Sequence, residues 1–236
     1  MNDSHRAGNH VPSAPDCLTR RNVQGNANSF YEKGKGMKQA QAKHKLCRRL
    51  GYCIWNMPKC PSVKRPYAAG LQGKNRKKSK LSTYGVMMQE KQKLKAHYAL
   101  TESQLRNLFL VAKRKEGRTN ETLMQHIEMR LDATVYHSGM APTIFAAKQF
   151  VSHRHILVDG KIVDRPSFQL KPGQVVSINA EKSPKVAEIA REVNSTVPPY
   201  YETNKEELKV TVLREPMIEE IPVQVEAMRV VEYYAR

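Results

Sequence analysis

Apolar residues at helical spacing mark the middle of the chain. Between Leu105 and Ala112 they recur at i, i+3, i+4 and i+7, which is the spacing of one helix face. Directly before them, Thr101 and Gln104 stand in the positions of a capping box, in which each residue satisfies a free backbone N–H of the other. The pattern predicts a helix that starts after Thr101 and ends by Gly117.

Similar signals predict three further helices between Ser82 and Val151, in addition to a shorter one nearer the N-terminus. Ser82 is a suitable cap for a helix that runs to about His97. Apolar residues at steps of four indicate a long helix from Glu121 to His137, with Gly139 placed to end it. Thr143 is a cap for a short helix that reaches Val151, and a shorter helix is expected near Leu46 to Gly51.

After Ser152 the spacing of apolar residues changes from that of a helix to that of a strand. The runs HILV and KIV flank Asp159-Gly160, a pair that tolerates the positive φ angles of a two-residue type I′ hairpin turn. Further on, Lys171-Pro172-Gly173-Gln174 has the type II turn pattern and precedes the strand Val175 to Ile178. Residues 129–179 are therefore predicted to form two helices that lean on a small sheet.

The C-terminal part resumes with a helix and continues with strands. Ser183-Pro184 begins a helix whose apolar side carries Val186, Ile189, Ala190 and Val193. The alternating run LKVTVL predicts a strand, and MRVVEYY is rich in β-branched and aromatic residues that favour another. The predicted fold class is α+β: a basic, mostly helical first domain with an irregular N-terminal arm, and a small αα-β module before a C-terminal helix and strands.

Charge divides the chain into two unlike parts. The net charge is +18, yet residues 1–130 hold 27 basic and 8 acidic side chains while residues 131–236 hold 13 and 14. From Lys33 to Lys80 there are 15 Lys or Arg and no Asp or Glu. Such a run repels itself unless a polyanion neutralises it, so nucleic acid is the expected partner and binding should weaken with salt. A disordered basic tail or a membrane-surface segment are the alternatives, although the run lacks the apolar face of an interfacial helix.

Other sequence features exclude several classes of protein. No apolar run reaches the length of a membrane span, and the N-terminus lacks the apolar region of a secretory signal. An organelle transit peptide is weakly supported because Asp3 and Asp16 are unusual in one. Three of the four cysteines cluster between positions 47 and 60, which indicates a reducing compartment rather than a disulfide framework. No triad, paired carboxylates or phosphate-binding loop stands in a recognisable context, so no enzyme activity is expected.

Composition and pattern predict four segments. Residues 1–42 are expected to be a flexible extension, 43–128 a basic helical domain, and 129–180 a module of two helices on a small sheet. Residues 181–236 are expected to supply the C-terminal helix and strands and to pack back on the first domain.

Several short motifs carry a family resemblance. In the module they are Glu128-x-Arg130-Leu131-Asp132, Val135-Tyr136, Gln149-x-Val151-Ser152-His153, Ile156-x-Val158-x-Gly160 and Lys171-Pro172-Gly173. Elsewhere they are Arg65-Pro66-Tyr67, Ser82-x-Tyr84-Gly85, Glu90-Lys91-Gln92-Lys93, Gln104-x-Arg106-Asn107 and the terminal VVEYYAR. In this order, from Lys43 to Arg236, the chain resembles the family of protein four of the small ribosomal subunit in its bacterial and organellar form, including the RNA-binding module named after it.

The resemblance implies a structural role in translation. It implies a primary binder of small-subunit ribosomal RNA that nucleates subunit assembly, lies near the messenger RNA entry path beside neighbouring ribosomal proteins, and contributes to translational accuracy. It also implies that residues 43–128 bind ribosomal RNA and that residues 129–180 are an RNA-binding module. The location would be the ribosome of a bacterial cytoplasm, or alternatively of a mitochondrion or plastid. The rival hypotheses are an RNA-modifying enzyme and an RNA rescue factor, because both classes carry the same module.

The candidate RNA contacts are cations, two aromatic rings and one helix start. Expected phosphate contacts are Arg48, Arg49, Lys64, Arg65, Lys74, Arg76, Lys77, Lys78, Lys91, Lys93 and Arg106. Tyr67 and Tyr84 are candidates for stacking or hydrogen bonding. The module would add the helix N-terminus at Thr143 together with Lys148, His153, Arg154 and His155. The family often has Arg after the capping Thr, whereas this chain has Ile144, which with Phe145 is the alternative candidate for a contact with protein.

A structural zinc site is a further expectation. Some bacterial members of the family carry four cysteines near the N-terminus, and this sequence offers His44, Cys47, Cys53 and Cys60. Three thiolates and one imidazole satisfy tetrahedral zinc. The alternative is a degenerate site with free thiols, because the first ligand is His and the spacing of the second pair is loose.

Overall fold

The computed structural model describes residues 44–55, 57, 59–75 and 81–236. The predictions made for residues 1–42 and for Arg76, Lys77 and Lys78 therefore lie outside the described residues. Residues 44–75, called the N-terminal arm below, contain two short helices, α1 (His44–Leu50) and α2 (Pro61–Lys64), joined by turns. The first of these confirms the short helix expected near Leu46.

Four helices surround the first hydrophobic core. They are α3 (Thr83–His97), α4 (Glu102–Arg114), α5 (Thr119–Glu128) and the C-terminal α9 (Ala227–Ala235). The Ser82 hydroxyl accepts a hydrogen bond from the Gly85 N–H, and Thr101 and Gln104 form the reciprocal capping box. Both predicted helix starts are confirmed. Within the described residues, none of the helices has the length and apolarity needed to cross a bilayer.

The long helix predicted from Glu121 to His137 is wrong, because the chain breaks it into α5 and α6 (Leu131–His137). At the break, Leu131 donates its N–H to the Phe168 carbonyl at 2.9 Å, and Leu170 donates to the Met129 carbonyl at 2.8 Å. These distant partners replace the helical hydrogen bonds of the same backbone. A contact with a segment so far along the chain leaves no trace in local periodicity.

The module begins with α6 and α7 (Ile144–Ser152). Gly139 ends α6 with a φ of +82°, a backbone angle that favours glycine. A β-carbon there would lie 2.4 Å from the Ser195 hydroxyl, so that side chain would have to move. The Thr143 hydroxyl caps α7 by accepting from the Ala146 N–H at 3.1 Å. The predicted helix pair is confirmed.

Five antiparallel strands form one sheet in the order β2-β1-β3-β5-β4. Their bounds are β1 (Ile156–Val158), β2 (Lys161–Ile162), β3 (Val175–Ile178), β4 (Tyr201–Asn204) and β5 (Lys209–Val212). Val158 pairs with Lys161 around the turn, where Asp159 and Gly160 have φ angles of +50° and +77°. The Asp159 carboxylate also accepts from the Val175 N–H at 2.9 Å, which joins the turn to β3. The predicted hairpin is confirmed.

The type II turn before β3 is confirmed as well. Gly173 has a φ of +88°, and the Gln174 N–H donates to the Lys171 carbonyl at 3.2 Å.

The C-terminal residues do not pack back as one unit on the first domain. Helix α8 (Pro184–Glu192) buries Val186, Ala187 and Ala190 in the module's core, while Ile189, expected on the apolar side, is 39% exposed. Strands β4 and β5 continue the module's sheet through the pairing of β5 with β3. After a 3₁₀ turn at Ile218–Glu220, only α9 returns to the first core.

The strand expected in MRVVEYY is wrong, since this segment belongs to α9. Ala227 and Val230 are buried in the first core, and the Tyr234 ring stacks on Phe109 with centroids 5.1 Å apart. Positions 227, 230 and 234 share one helix face. Packing of that face outweighs the preference of Val and Tyr for strands.

Candidate nucleic-acid interface

The N-terminal arm presents free cations to solvent. Arg49 lies on α1, Lys64 and Arg65 lie at the end of α2, and Lys74 lies in the following loop; all four are exposed. Within the part of the chain that the structure describes, no carboxylate pairs with them. This is the arrangement that binding to a phosphate backbone requires, because the positive charge is not neutralised inside the protein.

Arg48 and Tyr67 organise this surface. Arg48 donates to the backbone carbonyls of Tyr67 and Ala68, each at 3.2 Å, so its guanidinium ties α1 to the loop after α2. The Tyr67 ring lies 4.8 Å from Arg48 and 5.6 Å from the Lys74 amino group. Tyr67 therefore sits between two cations, and Arg48 is partly committed to holding the loop rather than free for phosphate.

The loop itself is tightly closed at Gly73. A β-carbon at this position would lie 1.9 Å from the Ala68 carbonyl oxygen, a distance that no side chain tolerates. The backbone approach positions Lys74 next to Tyr67.

Two lysines of α3 do not match the expectation of free phosphate contacts. Lys91 is only 4% exposed; its amino group donates to Glu102 at 2.8 Å and lies 4.3 Å from the centre of the Tyr233 ring. Lys93 donates to Glu90 at 2.5 Å. The helix was expected to carry positive charge all round toward RNA. Instead, the Lys91 charge holds α3 against α4 and α9, and the Lys93 charge is paired with Glu90 within α3.

Glu102 is the carboxylate around which this packing is arranged. It accepts hydrogen bonds from Lys91, Lys95 and the Tyr234 hydroxyl at 2.8, 3.1 and 2.8 Å. Partial burial opposes its ionisation, but these hydrogen bonds outweigh that effect and lower its pKa to about 2. Helices α3, α4 and α9 are thus joined by one acidic side chain.

Tyr84 and Arg106 keep the exposure that their expected role needs. Tyr84 is 49% exposed at the first turn of α3, with its ring 5.7 Å from Tyr233, and Arg106 is exposed on α4.

The module's candidates divide in the same way. Lys148 donates to the Ala99 carbonyl at 2.5 Å and lies 3.5 Å from Asp132, so it anchors α7 to the first domain instead of facing solvent. The His155 ring is hydrogen-bonded to the Ser183 hydroxyl at 2.5 Å. His153 is exposed, and Arg154, paired with Asp164 at 3.1 Å, remains 68% exposed.

The start of α7 is largely closed by protein. Thr143 uses its hydroxyl as the helix cap, Ile144 is fully buried, and Phe145 packs edge-on against Trp55 with centroids 5.6 Å apart. Position 144, where the family often has Arg, therefore faces the protein core in this chain. The alternative given for Ile144 and Phe145, contact with protein, is the one observed.

Three of the four candidate metal ligands lie together. Helix α1 brings His44 and Cys47 to the same side, and their ligand atoms and that of Cys60 lie within 4.8 Å of one another. The His44 Nδ1 is 3.3 Å from the Cys60 sulfur, which also contacts the Ser62 hydroxyl at 3.1 Å. Cys53 is not within this group of three, and its sulfur accepts a hydrogen bond from the Met57 N–H.

The thiols of this cluster differ in acidity. Burial raises the pKa of Cys47 to about 12. Burial also opposes ionisation of Cys60, but hydrogen bonds from Ser62, Cys53 and His44 reverse the effect and lower its pKa to about 7. A thiol with a lowered pKa, one further thiol and an imidazole are thus arranged as donors that suit zinc.

Other exposed cations were missed by the sequence-based selection. Lys45 and Lys59 in the arm and Lys113, Arg114 and Lys115 at the end of α4 are all exposed. The first two lie inside the acid-free run and could have been included on that ground. The others follow the last apolar position of α4, where basic residues also suit the negative end of the helix dipole.

Comparisons with known proteins agree with this geometry. Residues 38–128 match the family described as "Ribosomal protein S4/S9 N-terminal domain", and residues 129–176 match the one described as "S4 domain". The small ribosomal subunit protein uS4 of Bifidobacterium longum (strain DJO10A) is 44% identical over an aligned length of 208 residues, and the alignment covers 85% of this chain and 99% of the relative. The chain belongs to the uS4 family. The uS4 protein of Roseobacter denitrificans is 41% identical over an aligned length of 204 residues, and that alignment covers 84% of this chain and 98% of the relative.

Membership in the uS4 family accounts for both parts of the fold. The first match ends at Glu128, the last residue of α5, and the second begins at Met129, where the long helix breaks. The alignments with these uS4 relatives cover 85% and 84% of this chain, and both family matches together reach from residue 38 to residue 176.

Proposed function

We propose that the protein is a structural, non-enzymatic component of the small ribosomal subunit that binds small-subunit ribosomal RNA. The observation that carries this proposal is the match to uS4 proteins over 85% of the chain and 99% of the relative. The geometry supports it because the N-terminal arm exposes cations for which the described residues supply no carboxylate.

The N-terminal arm would supply most of the attraction. Arg49, Lys64, Arg65 and Lys74 would contact phosphates, with Tyr67 placed beside Lys74 for a base or ribose contact. Release of counterions from the RNA would make this binding strongly dependent on salt. Tyr84, Arg106, His153 and Arg154 would extend the contact surface along α3, α4 and the end of α7.

The module would mainly hold shape. Residues 131–236, which contain most of the module, have nearly balanced charge with 13 basic and 14 acidic side chains. Lys148 ties α7 to the first domain through the Ala99 carbonyl. The module would thereby set the angle at which the arm and the exposed end of α7 meet one folded RNA.

In the particle, early binding to the RNA would nucleate assembly, and neighbouring ribosomal proteins and messenger RNA would lie close by. We place the protein in the ribosome of a bacterial cytoplasm, because its relatives from Bifidobacterium longum and Roseobacter denitrificans are bacterial proteins. The RNA-modifying enzyme and the RNA rescue factor are not favoured, since the relatives align along almost their whole length as ribosomal proteins.

Association with the small subunit tests the proposal. The tagged full chain should co-sediment with small subunits through a high-salt wash, because RNA completes a large part of its surface. Free protein at the top of the gradient at every salt concentration, with folded protein verified by circular dichroism, would contradict it. Binding to an unrelated RNA of equal length serves as the control for nonspecific attraction.

We also propose that His44, Cys47, Cys53 and Cys60 hold one structural zinc ion. Support comes from the convergence of three of these donors within 4.8 Å and from the lowered pKa of Cys60. The His44 Nδ1 is the nitrogen that faces Cys60. Bound zinc would link α1 to the start of α2 and would displace the proton of Cys47.

Elemental analysis of the protein purified without chelator tests this site. About one zinc per chain is expected for a complete ligand set. Cys47→Ser should lose the metal, whereas Cys17→Ser, outside the described residues, should retain it. Folded protein without zinc in the unchanged chain would contradict the proposal and favour free thiols.

A further inference from the structure

A carboxylate is fully buried where the two parts of the fold meet. Glu128, the last residue of α5, has no exposed surface. Its two oxygens accept hydrogen bonds from the Tyr98 and Tyr200 hydroxyls, each at 2.7 Å, and one of them also contacts the His137 Nδ1. A lone buried negative charge is strongly unfavourable, so the adjoining groups must compensate it.

A second histidine continues this network to the N-terminal arm. The Nε2 atoms of His97 and His137 are 3.5 Å apart, and the His97 Nδ1 lies 3.3 Å from the Ile54 carbonyl oxygen. Trp55 returns a hydrogen bond from its indole N–H to the His97 carbonyl at 3.3 Å. The loop at Ile54 and Trp55 is therefore fixed to the core through two groups of His97, its imidazole ring and its backbone carbonyl.

The hydrogen bonds of this network fix the number of protons that it holds. A carbonyl oxygen only accepts, so the His97 Nδ1 carries a proton. The contact between the two Nε2 atoms needs one proton, and the contact between the His137 Nδ1 and Glu128 needs one more. Three contacts thus need three protons, whereas two neutral imidazoles and an ionised carboxylate bring two. A fourth proton would place two N–H groups against each other between the rings.

We infer that His97, His137 and Glu128 together retain one additional proton at neutral pH, and that this proton clamps the Ile54–Trp55 loop to the core. The cluster is then electrically neutral, whichever of its members carries the proton. The inference concerns this chain's own conformation and does not depend on RNA or zinc.

The surroundings favour this protonation state. Tyr98, Tyr136, Tyr200 and Tyr201 face the cluster, and burial raises the pKa of each phenol, so they remain neutral donors. Lys93 and Cys53 line the same open cleft as His97, but Glu90 holds the Lys93 amino group. Within the described residues, no other cation is recorded against Glu128.

The pKa shifts of His97 and Glu128 describe which further protonation the cluster resists. Burial, followed by the charge of His137, lowers the pKa of His97 to about 4, so the cluster resists a further proton until acid pH. Burial opposes ionisation of Glu128, but the charge and hydrogen bond of His137 outweigh it and lower the carboxyl pKa. The carboxylate is therefore kept ionised by the imidazole beside it.

Loss of the additional proton in alkali should open the clamp, because two nitrogen lone pairs would then face each other and the Glu128 charge would be uncompensated. The unfolded chain releases its histidine protons near pH 6.5. Above that pH the folded chain holds one proton more than the unfolded chain. The equilibrium constant for unfolding should consequently rise about tenfold per pH unit until the cluster loses its proton.

Nitrogen NMR of the imidazole rings in the unchanged full chain tests the proton count directly. At pH 7.5 we expect three protons on the four nitrogens of His97 and His137, and the ring of the exposed His153 serves as the reference. Two protons on those nitrogens, with Glu128 ionised, would overturn the inference. This measurement needs no variant and so does not depend on whether a variant folds.

Trp55 is the only tryptophan of the chain and reports on the loop. In the unchanged protein its emission should shift to longer wavelength as the pH rises through the loss of the proton. His97→Asn should show the shifted emission already at pH 7.5, whereas His153→Asn should behave like the unchanged chain. Because His44 and the cysteines are unchanged in His97→Asn, any pH response that arises from them persists there. Identical titrations of all three proteins would contradict the clamp.

Discussion

Two groups of basic side chains in this molecule have opposite environments: one faces solvent and the other is paired inside the protein. In the N-terminal arm, Arg49, Lys64 and Arg65 are exposed and meet no carboxylate among the described residues. In α3 and α7, Lys91 and Lys148 reach inward, to Glu102 and to Asp132 with the Ala99 carbonyl. The difference lies in the partners available to each group. The arm belongs to a run of 15 basic residues without an acid, whereas folding brings Glu102 to Lys91 and Asp132 to Lys148.

The comparison shows that net charge alone does not identify a phosphate contact. A lysine near an acidic residue can stabilise the fold instead of binding a ligand, because the ion pair lowers the free-energy cost of burying its charge. A cation in an acid-free segment lacks a partner nearby along the chain. The acid-free length is therefore a better guide to RNA contacts than the number of lysines on a helix.

Charge reversal in the arm should have the largest effect. Arg49→Glu, Lys64→Glu and Arg65→Glu together remove three expected phosphate contacts and add repulsion, so affinity for a small-subunit RNA fragment should fall by on the order of 100-fold at moderate salt. The slope of log affinity against log salt should also become shallower by about 2 to 3. Filter binding over a series of salt concentrations measures both quantities.

The matched control is Lys182→Glu, Lys185→Glu and Arg191→Glu, which reverses three exposed cations in and just before α8. The net charge changes equally, but the change lies in the nearly neutral half of the chain. Equal losses of affinity in the two triple variants would break the comparison, since binding would then depend only on total charge.

Lys91→Met should affect folding rather than RNA. Methionine preserves much of the side-chain volume but removes the ion pair with Glu102, and Lys95 remains as a second partner of that carboxylate. We expect the free energy of unfolding to fall by about 1–2 kcal/mol, less than for an isolated buried pair. Urea denaturation measures it, and Lys113→Met on the exposed side of α4 should change stability by less than about 0.5 kcal/mol.

RNA affinity separates the two roles of Lys91. Measured on the folded fraction, the affinity of Lys91→Met should equal that of the unchanged chain. A loss of affinity as large as that of a single reversal in the arm would mean that Lys91 contacts phosphate after all.

The acid dependence of Glu102 should be smaller and confined to low pH. Its folded pKa, about 2, is below the value of 4.5 for an unperturbed Glu. The stabilising contribution is therefore complete above pH 4.5 and disappears as the pH falls through the folded pKa. Glu102→Gln should be less stable than the unchanged chain at pH 7, and the difference in urea midpoint should shrink toward zero near pH 2. A difference that stays constant over this range would exclude the ion-pair explanation.

Local sequence signals predicted much of the fold. The Thr101–Gln104 capping box, the Thr143 cap and the Asp159-Gly160 turn all rest on contacts between residues close in sequence, and each is present. The failures have distant causes. Helix α5 ends where the backbone meets residues 166–170, and α9 is helical because its apolar face packs on the first core.

The candidate site was predictable to the same extent. Spacing brought His44 and Cys47 together on α1, and Cys60 joins them, whereas Cys53 lies outside the group of three. The sequence did not predict that Lys91 and Lys148 point inward. Their partners, Glu102 and Asp132, lie 11 and 16 positions away along the chain and on other helices. The same holds for Glu128, whose partners Tyr98 and Tyr200 come from separate elements.

A density map of the small ribosomal subunit that contains this protein would test the central claim most directly. The account predicts phosphate oxygens in hydrogen-bonding reach of Arg49, Lys64 and Arg65, with the amino groups of Lys91 and Lys148 still on their protein partners. An N-terminal arm that faces solvent in that map, or phosphates bound to Lys91 and Lys148 in place of Glu102 and Asp132, would contradict it.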